Sequence, residues 1–301
     1  MRKIKIRLPA TITNIGPDVN SLGLALQLYT TVEISPRADS VFNVQINGEG
    51  ADHFETELLH PVSLAIGRFS QHLERAQPGL DIKVDNDIPL NSGLGAETAM
   101  TVAGVWGANN VMDELFSRDQ LLALAAELSA PHGVVSTLVG GLTTTLANGD
   151  GTVIYRDLPI TPMEVIVVLP EIENFSPTTL PERIALQDAL YNINRIPLLI
   201  DALGKGDYDL LPHALDDRLN TPRLSKNITG YGYVLEMSRR MGVVAMTTCG
   251  TGPALLLFAK DSRQHIADEM VLAFKSAGVE ARSWVLPVDT QGVVISAMQS
   301  V

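Results

Sequence analysis

The chain has 301 residues, of which 46% are hydrophobic and 19% are charged, and its formal net charge is −12 at pH 7. A chain of this size and composition can bury a large core and divide into two subdomains, and its acidic balance argues against nucleic acid and anionic membranes as partners. The single cysteine, Cys249, excludes an internal disulfide and favours a reducing, cytoplasmic compartment. No apolar run reaches the ~20 residues of a membrane span, and we expect no signal peptide.

In the first half of the chain, alternating polarity predicts strands, and apolar residues recurring every three or four positions predict helices. The predicted strands cover residues 3–8, 28–35, 41–46, 80–84, 142–147 and 152–156. The predicted helices cover residues 61–71, 95–111 and 118–128. Residues 131–139 are interpreted as a connection that leads through the Gly140–Gly141 turn into the next strand.

A link rich in proline, residues 158–162, predicts a boundary between two subdomains, residues 1–160 and 161–301. Beyond it, the predicted strands cover residues 164–169, 243–248, 254–258, 281–286 and 292–296. The predicted helices cover residues 180–203, 228–241 and 262–277. Strands that mix with helices without strict alternation indicate an α+β class.

The segment IPLNSGLGAETA, residues 88–99, is the most informative part of the chain. It predicts a glycine-rich loop that opens into a helix, where Gly93 and Gly95 let the backbone turn tightly and approach a ligand. The free N–H groups of a helix start favour an anion, which predicts a phosphate site. In the alternative interpretation, Ser92 as N-cap and Glu97 in the first turn serve helix stability alone.

Two further segments frame this loop: LPATITNIGPDVNSLGLAL at residues 8–26 and TTCGTGPALLLF at residues 247–258. In order and spacing, the three segments resemble the three motifs of the GHMP superfamily of small-molecule kinases, and they are most similar to those of the homoserine kinases. The resemblance implies a two-subdomain α+β fold, with an N-terminal part like ribosomal protein S5 domain 2 and a ferredoxin-like C-terminal part. It also implies ATP and Mg²⁺ as cofactors and a small hydroxylated substrate, homoserine or a related alcohol. We further expect a cytoplasmic homodimer.

The resemblance places the nucleotide phosphates on the glycine loop and the adenine beside residues 59–62. The candidate nucleotide contacts are His60, Pro61, Ser92, Gly93, Leu94, Gly95, Ala96, Glu97 and Thr98. Ala96 and Glu97 replace two serines of the family, so Glu97 could either ligate Mg²⁺ or occupy the anion site and exclude ATP. Thr98, the nearest hydroxyl, and Glu127, at the position of the family's second metal ligand, complete the candidate metal set. Glu127 could equally be an ordinary exposed helix residue.

The amino-acid recognition residues of the family are mostly altered in this chain. Asn14 matches a substrate-binding asparagine of the family and is a catalytic candidate together with Glu127. Asn20 replaces an aspartate that resembles an anchor for the substrate ammonium group. Asp18 could restore that negative charge, or it could be a turn residue after Pro17. In the segment 131–141, His132 could be a substitute ligand or a loop residue.

Gly133 stands at the position of an asparagine that helps the family hold homoserine. Arg223, the third catalytic candidate, and Lys226 could replace the arginines that clamp the substrate carboxylate, or they could be solvated surface charges. In the third motif, Gly250 and Thr251 are candidate substrate contacts by resemblance.

These observations leave three hypotheses. The first is an ATP-dependent kinase of a small hydroxylated metabolite, in which the altered anchors predict weaker activity with homoserine than with another alcohol. The second is a non-catalytic member of the fold that binds a ligand or a partner. The third is an ATP-dependent decarboxylase, although that branch usually carries a serine-rich second motif, which this chain lacks.

Overall fold

The computed structural model describes residues 3–54, 59–112, 115–177 and 180–298. Its larger sheet has seven strands: β1 (Lys3–Thr13), β2 (Leu22–Pro36), β3 (Phe42–Gly48), β4 (Leu80–Asn86), β5 (Leu142–Ala147), β6 (Val153–Leu158) and β11 (Val294–Met298). Their order is β11-β1-β2-β4-β3, and β5 pairs with the start of β2 and with β6. The β3–β4 pair is parallel and the other pairs are antiparallel.

The second sheet has four antiparallel strands: β7 (Glu164–Pro170), β8 (Ala245–Thr248), β9 (Leu255–Phe258) and β10 (Ala281–Pro287). Their order is β10-β7-β9-β8. Strand β7 is a continuous apolar run that is buried after its first residue, which is the pattern of a strand covered on both faces.

The described residues of the first half of the chain contain four α-helices: α1 (Pro61–His72), α2 (Ala96–Val111), α3 (Arg118–Leu128) and α4 (Pro131–Val139). The others are α5 (Leu186–Ile193), α6 (Ile196–Lys205), α7 (Leu211–Ala214), α8 (Thr221–Leu224), α9 (Tyr231–Arg240) and α10 (Arg263–Ser276). Helix α2 is buried along almost its whole length. Gly104 permits this close packing, because a β-carbon there would lie 2.6 Å from the Val62 carbonyl oxygen of α1. None of the helices in the described parts of the chain is long and apolar enough to cross a membrane.

The α+β class is confirmed, and most predicted elements are present, but four predictions were wrong in extent. Strand β1 continues past residue 8 into the first motif and ends at Thr13, and Pro9 is accommodated where the pairing register with β2 shifts. Strand β2 begins at Leu22 instead of residue 28. Residues 131–139 form helix α4 rather than a connection. Its buried hydroxyls are satisfied inside the helix, because Ser136 and Thr137 donate to the carbonyl oxygens of His132 and Gly133.

The predicted helix over residues 180–203 is two shorter helices, α5 and α6, preceded by residues 180–185 without helix. The break has a local cause. Pro197 lies in the first turn of α6, where its missing N–H group costs nothing, whereas inside a continuous helix it would remove a hydrogen bond.

Candidate active site

The glycine loop before α2 has an unusual backbone. Asn91, Gly93 and Gly95 all have positive φ, at 55°, 88° and 77°. Gly95 is the N-cap of α2 and offers no side-chain hydrogen bond to the helix start. The Ser92 hydroxyl instead donates to the Pro89 carbonyl oxygen at 2.7 Å and accepts from the Leu94 N–H at 3.2 Å. The interpretation of Ser92 as a helix cap was therefore wrong, and no N-cap side chain covers the start of α2.

The third motif packs directly under this loop. A β-carbon at Gly93 would lie 2.0 Å from the Cys249 carbonyl oxygen, and one at Gly252 would lie 2.1 Å from the Ser92 carbonyl carbon. The Ala254 N–H donates to the Ser92 carbonyl oxygen at 3.1 Å. Burial raises the pKa of the Cys249 thiol, so this residue is an uncharged packing group. Only glycine fits at both contact positions.

The first motif holds the other side of the loop. The Thr11 N–H donates to the Leu94 carbonyl oxygen at 2.9 Å, and a β-carbon at Gly95 would lie 2.3 Å from the Thr11 hydroxyl oxygen. The Gly250 N–H donates to the Thr13 carbonyl oxygen at 2.8 Å, which joins the first motif to the third. Three segments that are far apart in sequence thus meet around one helix start.

A cavity of about 210 Å³ opens at this helix start. Its lining residues are Pro89, Asn91, Ser92, Gly93, Gly95, Ala96, Glu97, Thr98, Phe175, Pro177, Thr251 and Gly252. Among the candidate nucleotide contacts on the loop, Leu94 alone is not in this set, since its side chain is fully buried beneath it. Sequence reasoning did not name Phe175 and Pro177, which follow β7, as site residues.

His60 and Pro61 lie at the start of α1. His60 is the N-cap, and its Nδ1 accepts from the Val62 N–H at 3.2 Å. Its Nε2 is buried and has no hydrogen-bond partner among the described residues, and its ring meets the Phe54 ring edge-on at 4.8 Å between centroids. Burial lowers the pKa of His60 to about 4, so the imidazole is neutral at pH 7.

The three candidate metal ligands are divided between two places. Glu97 is exposed at the cavity rim, and the Thr98 hydroxyl lies 2.7 Å from the Ser129 hydroxyl. Glu127 accepts from Arg68 of α1 at 2.7 Å, in an ion pair outside the cavity. Within the described residues, no group of three His, Cys, Asp or Glu side chains could hold a metal ion.

The turn between β1 and β2 carries three candidate substrate contacts. The Asn14 side-chain oxygen accepts from the Asn20 N–H at 2.8 Å, and both residues have positive φ. Asp18 is fully buried, and its carboxylate accepts from the Ser21 hydroxyl and, at 2.9 Å, from the Leu22 N–H. Burial raises the pKa of Asp18, against the effect of these hydrogen bonds. The Asp18 carboxylate therefore serves the turn, whereas Asn20 is exposed.

Helix α4 begins beside the glycine loop. His132 is 6% exposed, and burial lowers its pKa to about 4. A β-carbon at Gly133 would meet Thr98 at 3.4 Å and Thr13 at 3.9 Å, which are ordinary contacts, so a methyl group would fit at this position. Arg223 is half-buried in α8, in the segment that follows Asp217.

Comparisons with known proteins agree with this arrangement. The family described as GHMP kinases N terminal domain matches residues 61–141. A homoserine kinase of Carboxydothermus hydrogenoformans is 30% identical over 280 residues, which cover 92% of this chain and 91% of that protein. The chain belongs to the homoserine kinase family. A relative of the same name from Synechocystis is 30% identical over 310 residues, covering 99% of this chain and 100% of its own.

The fold is shared as well. The crystal structure of homoserine kinase from Cytophaga hutchinsonii superposes with a TM-score of 0.84 and 23% identity, and the match covers 98% of each chain. Membership of this family identifies the chain as a small-molecule kinase and confirms the GHMP kinase fold. It favours the first of the three hypotheses over a non-catalytic protein or a decarboxylase.

Proposed function

We propose that the chain transfers the γ-phosphoryl group of ATP to the side-chain hydroxyl of homoserine. One observation carries the proposal: the three motifs meet around an uncapped helix start with a cavity in front of it. The relatives that match the chain over nearly their whole length, and that are named homoserine kinases, support this choice of acceptor.

The loop backbone is the part of the site best suited to phosphate. Gly93 and Gly95 lack side chains where a phosphate must approach, and the first-turn N–H groups of α2 point out of the helix start. These donors are fixed by the packing of Thr11 and Cys249 against the loop, so they need little reorganisation during the reaction. His60 and Pro61, at the start of α1, are the proposed adenine contacts.

The donor set fits a magnesium ion that takes most of its ligands from phosphate and water. Mg²⁺ is commonly held by one or two carboxylates together with substrate phosphates, and Glu97 offers one carboxylate at the rim. When bound, the ion neutralises charge on the transferred phosphoryl group. The Glu97 carboxylate would hold the ion. The Thr98 hydroxyl would ligate it only if it gave up its hydrogen bond with the Ser129 hydroxyl.

The acceptor is proposed to lie between the turn that carries Asn14 and Asn20, the start of α4 at His132, and Gly250 and Thr251 of the third motif. Arg223 would pair with its carboxylate. Phosphoryl transfer depends mainly on positioning and charge stabilisation, so the proposal requires no general base among these residues.

A related alcohol without an ammonium group is the second candidate acceptor. The burial of the Asp18 carboxylate inside its own turn favours it, because that charge is then not offered to a substrate ammonium group.

A coupled assay of ADP release from Mg-ATP tests the proposal with two matched acceptors, homoserine and 4-hydroxybutyrate, which lacks only the amino group. A higher kcat/KM with homoserine supports the proposal, and a higher kcat/KM with 4-hydroxybutyrate supports the second candidate. If no hydroxy amino acid, hydroxy acid or polyol stimulates ADP release, the proposal is wrong.

The chain is also proposed to form a homodimer, which the exposed side chains of Leu186, Leu190 and Ile193 on α5 support. Light scattering of the purified chain tests this proposal.

A further inference from the structure

Helix α5 is built in an unusual way. Its buried residue is Asn192, which is 2% exposed, whereas Leu186, Leu190 and Ile193 on the same helix are 72%, 47% and 57% exposed. A helix that buries an amide and exposes its leucines is held in place by hydrogen bonds more than by apolar packing. The partners of Asn192 therefore decide where this helix sits.

Asn192 uses both ends of its amide group. Its Nδ2 donates to the Pro17 carbonyl oxygen at 3.0 Å and to Asp217 Oδ1 at 2.7 Å. Its Oδ1 accepts from the Arg218 N–H at 3.0 Å. Pro17 lies in the first motif, so one side chain joins that motif to the segment before α8.

Asp217 is the other half of this junction. It is 7% exposed, and its carboxylate accepts from the backbone N–H groups of Leu219 at 2.7 Å and Thr221 at 2.6 Å. Thr221 is the first residue of α8, which carries Arg223. The contact between Asn192 and Asp217 thus connects the start of α8 to helix α5.

Asn220 makes a second connection to the same turn. It is 8% exposed, and its Nδ2 donates to the Asp18 carbonyl oxygen at 2.8 Å. The adjacent carbonyl groups of Pro17 and Asp18 are therefore both held by buried amides from the C-terminal half of the chain. A fully satisfied buried network of this kind fixes one arrangement, since an unpaired group in it is costly.

We infer that Asn192 is a positioning residue for the acceptor. It fixes the turn that carries Asn14 and Asn20 relative to the helix that carries Arg223, and so sets the separation between two sides of the acceptor site. The inference rests on the proposed function, because these residues are candidate acceptor contacts.

The nucleotide side of the site is anchored separately. The glycine loop is bonded to Thr11, and the third motif to Thr13, both of which precede the turn in the sequence. Loss of the Asn192 donors should therefore loosen the turn at Pro17, which Asn220 and Thr247 still hold at Asp18 and Gly16, while the loop keeps its anchors. The expected kinetic signature is a higher KM for the acceptor with an unchanged KM for ATP.

The test compares three variants. Asn192→Asp keeps the size and the acceptor for Arg218 but removes both donors and places a second carboxylate against Asp217. Asn192→Ser is a milder change that is used if the first variant does not fold. Asn194→Asp is the control, because it makes the same change two residues away at an exposed position. KM and kcat for homoserine and ATP are measured, together with hydrogen exchange of residues 14–22 and 92–99.

In the Asn192 variants, which lose the hydrogen bonds to Pro17 and Asp217, we expect KM for homoserine to rise by about tenfold, with KM for ATP changed by less than about twofold. Exchange should accelerate in residues 14–22 and not in 92–99. A parallel rise of both KM values, or unchanged exchange in residues 14–22, would overturn the inference. If the unaltered chain does not phosphorylate homoserine, the proposed function fails, and the exchange comparison still decides the role of Asn192.

Discussion

The carbonyl oxygen of Cys249 lies 2.0 Å from the point that a β-carbon on Gly93 would occupy. The third motif therefore packs tightly against the glycine loop, and the loop cannot shift toward it. This contact leaves no space for a side chain at position 93, which gives the first prediction.

Gly93→Ala should destabilise the fold by about 3 kcal/mol or more and abolish nucleotide binding, because it adds a backbone clash to a positive φ. Denaturant unfolding and calorimetric titration with Mg-ATP measure the two effects. Gly149→Ala is the matched control, since a β-carbon there meets nothing within 4 Å. Equal stability of the two variants would show that the loop can move away from Cys249.

Glu97→Gln distinguishes the two roles left open for this residue. If Glu97 helps to hold Mg²⁺, the substitution weakens nucleotide binding in the presence of Mg²⁺. In the absence of the metal it strengthens binding, because it removes a repulsion worth about 1 kcal/mol. Calorimetric titration with ATP, with and without Mg²⁺, measures both. Tighter binding under both conditions would mean that Glu97 only obstructs the site.

Glu127→Gln is the natural control for that experiment, since it removes the same charge from the ion pair with Arg68. We expect no change in nucleotide affinity and a loss of stability below about 1 kcal/mol, because the pair is exposed. If Glu127→Gln lowers the Mg²⁺-dependent affinity for ATP as much as Glu97→Gln does, Glu127 is a metal ligand.

Stability should fall as the pH is lowered from about 6.5 to about 4. The pKa values of His60 and His132 are both lowered to about 4 by burial, so the unfolded chain binds protons in this window that the folded chain does not. Each histidine should cost on the order of 3 kcal/mol by pH 4, at 1.36 kcal/mol per pKa unit. Urea unfolding at several pH values measures the loss.

The variant His132→Gln should flatten this dependence by about half. An unchanged pH profile in that variant would mean that His132 is protonated in the folded chain, with a partner that compensates for its charge.

Asp18→Asn should leave KM for homoserine within about tenfold of its original value, because the carboxylate is used inside the turn by Ser21 and Leu22. Loss of a direct ion pair with the substrate would cost on the order of 3–5 kcal/mol and raise KM by a hundredfold or more. Asp18→Ala should instead lower the unfolding free energy by about 1–3 kcal/mol. Steady-state kinetics and denaturant unfolding measure these outcomes.

The sequence was most informative where a local pattern and the tertiary contacts agree. Helix α3 covers the predicted residues 118–128, since its apolar face at Leu121, Leu124 and Ala125 is also the buried face. The glycine loop was predictable for a related reason, because Gly93 and Gly95 are required by the contacts that they make.

Residues whose role depends on distant partners could not be predicted. Phe175 reaches the cavity from a segment without periodicity, and Asn192 resembles any polar residue on an amphipathic helix until Pro17 and Asp217 are placed beside it. The role of Ser92 was missed because its hydroxyl turns back to Pro89 instead of forward to the helix.

Strand β11 has a consequence for biosynthesis. It lies at the edge of the larger sheet, with Met298 opposite Lys3, so the two ends of the described chain are side by side. During translation, β1 keeps an open edge until the last described residues have left the ribosome, and an open edge invites pairing with other chains. Removal of residues 294–298 would make that exposure permanent.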